Sequence, residues 1–226
     1  MYILHLSDIH YRRELGCRKK ADQGPLDGTN KKHGGVDRAA GPDGYQAMLS
    51  AMQNPLVFLD DCLDRVAGDW ERIGLVVITG DLTEDGTAED YRCLKHHIRK
   101  RIGDIPLVVT LGNHDNKRNF REGWLEEDAD SPCGLKEIGS APYNTIRRLE
   151  DTAVISFDTS VQGVPDGRMD DSQAAWLESV LKAEGKGPSI LVTHHHLLPE
   201  QGQIPPLPES RRLLSLLEHS GVSCIL

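Results

Sequence analysis

The chain has 226 residues, 38% of them hydrophobic and 27% charged, which suits one soluble domain with a sizeable core. Asp and Glu outnumber Lys and Arg by 35 to 26, and the net charge of −9 argues against a general nucleic-acid or anionic-membrane binder, which would carry a basic face. No apolar run approaches the roughly 18 residues of a membrane span, no basic stretch precedes an apolar one at the N-terminus, and the five scattered cysteines include no C-x-x-C; a reducing cytoplasm, free thiols and no membrane partner are expected.

In chain order, residues 2–6 open as an apolar strand that gives out just before Asp8 and His10. Residues 11–44 are polar and Gly-rich. They hold eight Lys or Arg against five Asp or Glu, a basic insertion in an acidic protein, and loops this long are either functional or floppy. Leu56, Leu59, Leu63 and Val66 recur at helical spacing. A strand at 75–79 runs into Gly80 and Asp81. "TAEDYRCLKHHIRKRIG" then reads as a helix, with Thr87 and Asp90 placed like a capping box and a basic last turn before Gly103. A strand at 107–110 leads to Asn113, His114 and Asp115, and residues 116–145 read as a second long irregular connection. A strand at 153–157, the helix "DDSQAAWLESVLKAEG", a strand at 189–193 ending in His194, His195 and His196, the helix "PESRRLLSLLEHSG" and a strand at 222–226 complete the chain. Strands alternating with helices predict an α/β fold, and one domain is expected across 1–226.

Four strand ends therefore carry Asp, His or Asn. In open α/β sheets, sites form where the carboxyl ends of strands meet. Alone, each motif says little: D-x-H is common by chance, and G-D after a strand is ordinarily a turn. Carboxylate, amide and imidazole donors together suit divalent ions such as Mn, Fe, Co or Zn, and the lack of cysteine argues against a structural zinc site. Side chains alternate along a strand, so Asp8 and His10 point the same way and can clamp one ion. Other polar residues have simpler explanations. His5 suits a hydrogen-bonded strand histidine, Trp176 with Leu177 and Leu181 suits a core, and Asp158 suits a turn.

"DIH", "GDLTEDG", "GNHD" and "THHH" resemble the successive motifs of the calcineurin-like metallophosphoesterases, and "GRMDDSQAAWLESVL" is similar to the branch holding bacterial cyclic-nucleotide phosphodiesterases and related diesterases. The resemblance implies a β-sandwich flanked by helices on both faces (a four-layer αββα arrangement) and a centre of two divalent metal ions. It implies that Asp8 and His10 bind the first ion, that Asp81 bridges both, and that Asn113 and His194 bind the second. It places His114 beside the metals, on phosphate or on the leaving oxygen. His195 is the rival ligand to His194, and with His196 it is a further candidate for a ligand or substrate contact. Gly80 and Gly112 are expected to let the backbone turn close to the metals.

The family's last motif, Gly-His-x-His, follows a strand like "GVSCIL". The chain stops at Leu226, so the resemblance implies a truncated C-terminal part and an incomplete centre holding as few as one ion. The expected activity is hydrolysis of small phosphate esters, above all diesters, by a hydroxide bridging the two metals. A nuclease and a catalytically silent scaffold of the same fold are the alternatives. Arg12, Arg13, Lys19 and Lys20, directly after His10, are expected to help hold an anionic substrate.

Overall fold

The computed structural model describes residues 1–13, 54–127, 141–202 and 204–226. Lys19 and Lys20, and most of the basic insertion, lie outside the described residues. β1 (Tyr2–Leu6), β2 (Ile73–Thr79) and β3 (Leu107–Thr110) form a parallel sheet in that order. β4 (Thr145–Leu149), β5 (Thr152–Ser156), β6 (Ser189–Val192) and β7 (Val222–Ile225) form a second sheet, antiparallel between β4 and β5 and parallel beyond.

Alternation along β2 sets the layers. Leu75 and Val77 face inward and meet Val108, Val154 and Val192 between the two sheets. Val76 and Ile78 face outward and meet α1 (Pro55–Arg65) and α2 (Ala88–Ile102) through Leu59, Leu63, Leu94 and Ile98. On the far side, Ile155, Phe157 and Leu191 pack on α4 (Asp171–Glu184) and α5 (Ser210–Leu217) through Leu177, Leu181, Leu213 and Leu217. The order is helix, sheet, sheet, helix. The Ser156 hydroxyl donates to the Val109 carbonyl at 2.8 Å, a hydrogen bond that joins the two sheets. Among the described residues, no helix is long and apolar enough to cross a membrane.

All six expected strands are present, with ends that differ by a residue or two. β2 begins at Ile73 rather than 75, and β5 runs Thr152–Ser156 rather than 153–157. Thr87 caps α2 by accepting from the Asp90 N–H at 3.1 Å, but the Asp90 carboxylate does not reach back to complete a box. It accepts instead from the Thr87 hydroxyl at 2.5 Å and from the Arg13 N–H at 2.9 Å. The reciprocal box is found at α4, where Asp170 and Gln173 cap each other's backbone. The segment 116–145 is not irregular throughout: α3 (Lys117–Phe120) and a π-helical turn (Arg121–Leu125) pack Phe120 and Trp124 into the core.

Candidate metal centre

Parallel register brings the strand ends together. Leu6 pairs with Ile78 and Thr79 with Thr110, so β1, β2 and β3 finish side by side. The ladder continues into the loops: His10 N–H donates to the Asp81 carbonyl at 2.9 Å, and Tyr11 N–H to the Leu82 carbonyl at 3.0 Å. At this edge Asp8, His10 and Asp81 are all left-handed, with φ of 53°, 48° and 47°, beside Gly80 at 74°. Such conformations cost of order 1 kcal/mol each outside glycine and persist where the surroundings impose them, as at functional sites.

Two donor groups result, and they share one residue. His10, Asp81 and His114 each offer an atom, all within 4.8 Å of one another; so do Asp8, Asp81 and His194. His10 Nε2 is 3.6 Å from Asp81 Oδ2 and 3.8 Å from Asp8 Oδ1. His194 Nε2 is 3.7 Å from the same Asp81 Oδ2. Two donors each about 2.1 Å from one tetrahedral cation would lie about 3.4 Å apart, so these residues fit divalent ions.

The other ring nitrogens are occupied. His194 Nδ1 donates to the Thr79 carbonyl at 2.9 Å, and His10 Nδ1 meets the Glu84 carboxylate at 2.8 Å. Each therefore presents Nε2 to Asp81, the arrangement that orients histidines on metals. Glu84, absent from the expected site, is its main addition. Its side chain is 10% exposed, 2.8 Å from His10 and 3.6 Å from His114 Nδ1. Its hydrogen bond to His10 holds the Glu84 carboxyl below the usual carboxylate range. Burial alone would lower His10, but hydrogen bonds to Asp8 and Glu84 and the charge of Asp81 push it up to about 10.

Glycine lets the pieces close. A Cβ on Gly112 would stand 2.1 Å from Asp81 Oδ1, and one on Gly80 would stand 2.4 Å from His194 Nδ1. Asp115 holds the loops from beneath. Fully buried, it accepts from the N–H groups of Gly112 at 2.9 Å, Leu82 at 3.1 Å and Thr83 at 3.3 Å, and from the Tyr91 hydroxyl at 2.9 Å. Burial pushes its carboxyl up to about 6 even so.

The remaining expected residues have varied surroundings. Asn113 sits half-buried in the same turn as His114, its carbonyl accepting from the Gly163 N–H at 2.7 Å. His195 is turned away from the donor groups and buried, with Nδ1 2.7 Å from the Thr159 hydroxyl. His196 Nε2 donates to the Ile204 carbonyl at 3.0 Å. Arg12 is buried in a two-pronged pair with Asp85, so it braces the loop that carries Glu84 rather than reaching for substrate. Arg13 is exposed, 3.7 Å from Glu89. Asp158 is no simple turn residue: fully buried, it pairs with Lys117 and accepts from the Tyr143 N–H at 2.7 Å.

A helix–sheet–sheet–helix sandwich with carboxylates and imidazoles converging at its strand ends defines a class of proteins with a donor set suited to divalent cations. The sequence matches the calcineurin-like phosphoesterase family over residues 1–226, and the chain belongs to that family. It is 28% identical over 225 residues to a glycerophosphodiester phosphodiesterase, GpdQ, of Enterobacter lignolyticus, covering 96% of this chain and 66% of the relative. It is 31% identical over 173 residues to a probable cyclic nucleotide phosphodiesterase of Rhodococcus erythropolis, covering 74% and 54%. To the 3',5'-cyclic adenosine monophosphate phosphodiesterase CpdA of Escherichia coli K12 it is 28% identical over 139 residues, covering 61% and 45%. The chain thus spans about half to two thirds of the length of these relatives.

Proposed function

We propose that this chain hydrolyses small phosphodiesters at a centre of two divalent metal ions held by Asp8, His10, Asp81, Asn113 and His194. The observation that carries this reading is Asp81 Oδ2, which stands 3.6 Å from His10 Nε2 on one side and 3.7 Å from His194 Nε2 on the other. The names of the relatives, a glycerophosphodiesterase and cyclic-nucleotide phosphodiesterases, support a diester over a monoester. Mn, Fe, Zn or Co would suit the nitrogen and oxygen donors. The net charge of −9 supports a small substrate over a nucleic acid. Cys62, Cys93 and Cys224 are free thiols, which supports a reducing cytoplasm.

Two bound cations would neutralise phosphate charge and lower the pKa of a water molecule. The protein's own part is positioning. The His114 N–H donates to Asp81 Oδ1 at 2.9 Å, which fixes the carboxylate so that Oδ2 meets both His10 and His194. The His114 ring stands edge-on to His10, centroids 4.8 Å apart, with Nδ1 3.2 Å from the Glu84 carbonyl. That leaves Nε2 to contact phosphate or to protonate the leaving oxygen, a role worth roughly 10²–10⁴ in rate.

Bis-p-nitrophenyl phosphate hydrolysis with added Mn²⁺, read beside metal content, tests the proposal. Wild-type turnover, lost in Asp81→Asn, is the expected result. His114→Ala should lower the rate far more than the metal content; parallel loss of both would make His114 a ligand. Near-normal turnover and metal content in Asp81→Asn would overturn the bridging role.

A further inference from the structure

The loop after β5 builds a feature that the metal centre does not use. Thr159 and Arg168 close its base, the Arg168 N–H donating to the Thr159 carbonyl at 2.8 Å. At its tip Val161 and Val164 form an antiparallel bridge, and the Val164 N–H donates to the Val161 carbonyl at 2.9 Å. Bridged residues put their side chains on one face, so the valines stand side by side. They are 37% and 41% exposed, an apolar pair presented to solvent.

The tip is fastened to the loop that carries His114. Gly163, at φ 74°, donates its N–H to the Asn113 carbonyl at 2.7 Å. Gln162 accepts from the Asn116 side chain at 2.8 Å. The base is equally fixed: Asp158, buried and paired with Lys117, accepts from the Ser160 N–H at 2.8 Å and hydroxyl at 2.6 Å. Gly167 lies so close to the His195 ring that a Cβ there would meet it at 2.5 Å. Val164 is therefore next to Asn113's partner and Val161 two residues from it, so the turn is anchored to that loop.

Two unlike features stand near the donor groups: the ionic set of Glu84, Asp85 and Arg12, and the exposed valines of a turn whose Gly163 N–H is bonded to Asn113, the neighbour of His114. A phosphodiester is unlike in the same sense: an anionic phosphate that belongs with the cations, and organic ester groups that do not.

We propose that Val161 and Val164 form an apolar shelf that receives the organic, non-leaving group of the diester and selects substrates in which that group is large and apolar. The inference rests on the diesterase reading. Because the shelf is pinned in advance, little ordering cost offsets the contact.

Two substrates with the same leaving group test it: phenyl p-nitrophenyl phosphate and methyl p-nitrophenyl phosphate, both releasing p-nitrophenolate. The ratio of their kcat/KM values cancels metal loading and leaving-group chemistry. In a Val161→Ser/Val164→Ser double variant the ratio should fall about tenfold towards the methyl ester, mainly through KM for the phenyl ester. A Val161→Leu/Val164→Leu variant should keep the phenyl preference. A ratio unchanged by the Ser substitutions, or equal losses on both substrates, overturns the shelf and leaves the turn as a prop for Asn113. If the metal-loaded wild type hydrolyses neither ester, the diesterase reading itself fails and takes this inference with it.

Discussion

His10 follows β1 and His195 follows β6, both beside Asp81's neighbourhood at the same edge of the sandwich, yet they are opposites. His10 stands among Asp8, Asp81 and Glu84, and those carboxylates push it up to about 10. His195 is packed against Thr159, Gly167 and His194, and burial pulls it down to about 4. One is a cation stored among acids; the other is a neutral ring used as packing. The difference teaches that a histidine after a strand is not a ligand by position. The better candidate is the ring that has carboxylates about one nitrogen and a second acceptor on the other, as His10 has.

Gly112→Ala should produce the largest effect. Its Cβ would meet Asp81 Oδ1 at 2.1 Å and the Asp81 N–H nitrogen at 2.5 Å, so Asp81 must move. Activity should fall by more than about a hundredfold, since small displacements in a preorganised site cost that much. Circular dichroism should show the fold intact. Glu84→Gln comes next. It keeps the size but weakens the hold on His10 Nδ1, and losses of this kind cost about 10–100-fold in metal affinity. Isothermal titration with Mn²⁺ reads it; unchanged affinity would mean His10 needs no support.

The third prediction concerns protons. In the metal-free protein His10 is raised, so it carries a proton at neutral pH, and a metal must expel it. Binding should release about one proton per ion at the His10 group and tighten by about tenfold per pH unit between pH 6 and 9. Titrations in buffers of different ionisation heat count the proton. The smallest effect belongs to His195. Its folded value is lowered, so the unfolded chain takes up a proton first, and stability falls as pH drops from about 6.5 towards 4. In metal-free protein the loss should be about 1 kcal/mol near pH 5.5, and His195→Asn should remove that part of the slope in urea denaturation.

Much of the fold was legible because buried parallel strands are short continuous apolar runs, as residues 75–79 and 107–110 are. β4 was not, since "TIRRL" keeps Arg147 and Arg148 exposed on an outer strand and lacks such a run. Among the candidate residues, Asp8, His10, Asp81, His114 and His194 were visible as polar residues placed where strands stop, and the structure brings their donor atoms together. Glu84 was hidden in "GDLTEDG", where an acidic pair reads as a solvated turn. Its burial depends on the pairing of Thr83 with Tyr11, a contact across more than 70 residues that spacing does not reveal. Arg12 misled for the opposite reason: its charge and position suggested phosphate, but Asp85 had already claimed it.

The central claim is that one carboxylate, Asp81, joins two cation sites. Electron paramagnetic resonance on protein given two equivalents of Mn²⁺ reads this directly, because ions roughly 3.5–4 Å apart are spin-coupled. The account predicts a coupled-pair spectrum in the wild type, replaced in Asp81→Asn by the six-line signal of isolated Mn²⁺. Isolated Mn²⁺ alone in the wild type at full occupancy, or a coupled spectrum unchanged in Asp81→Asn, would contradict it.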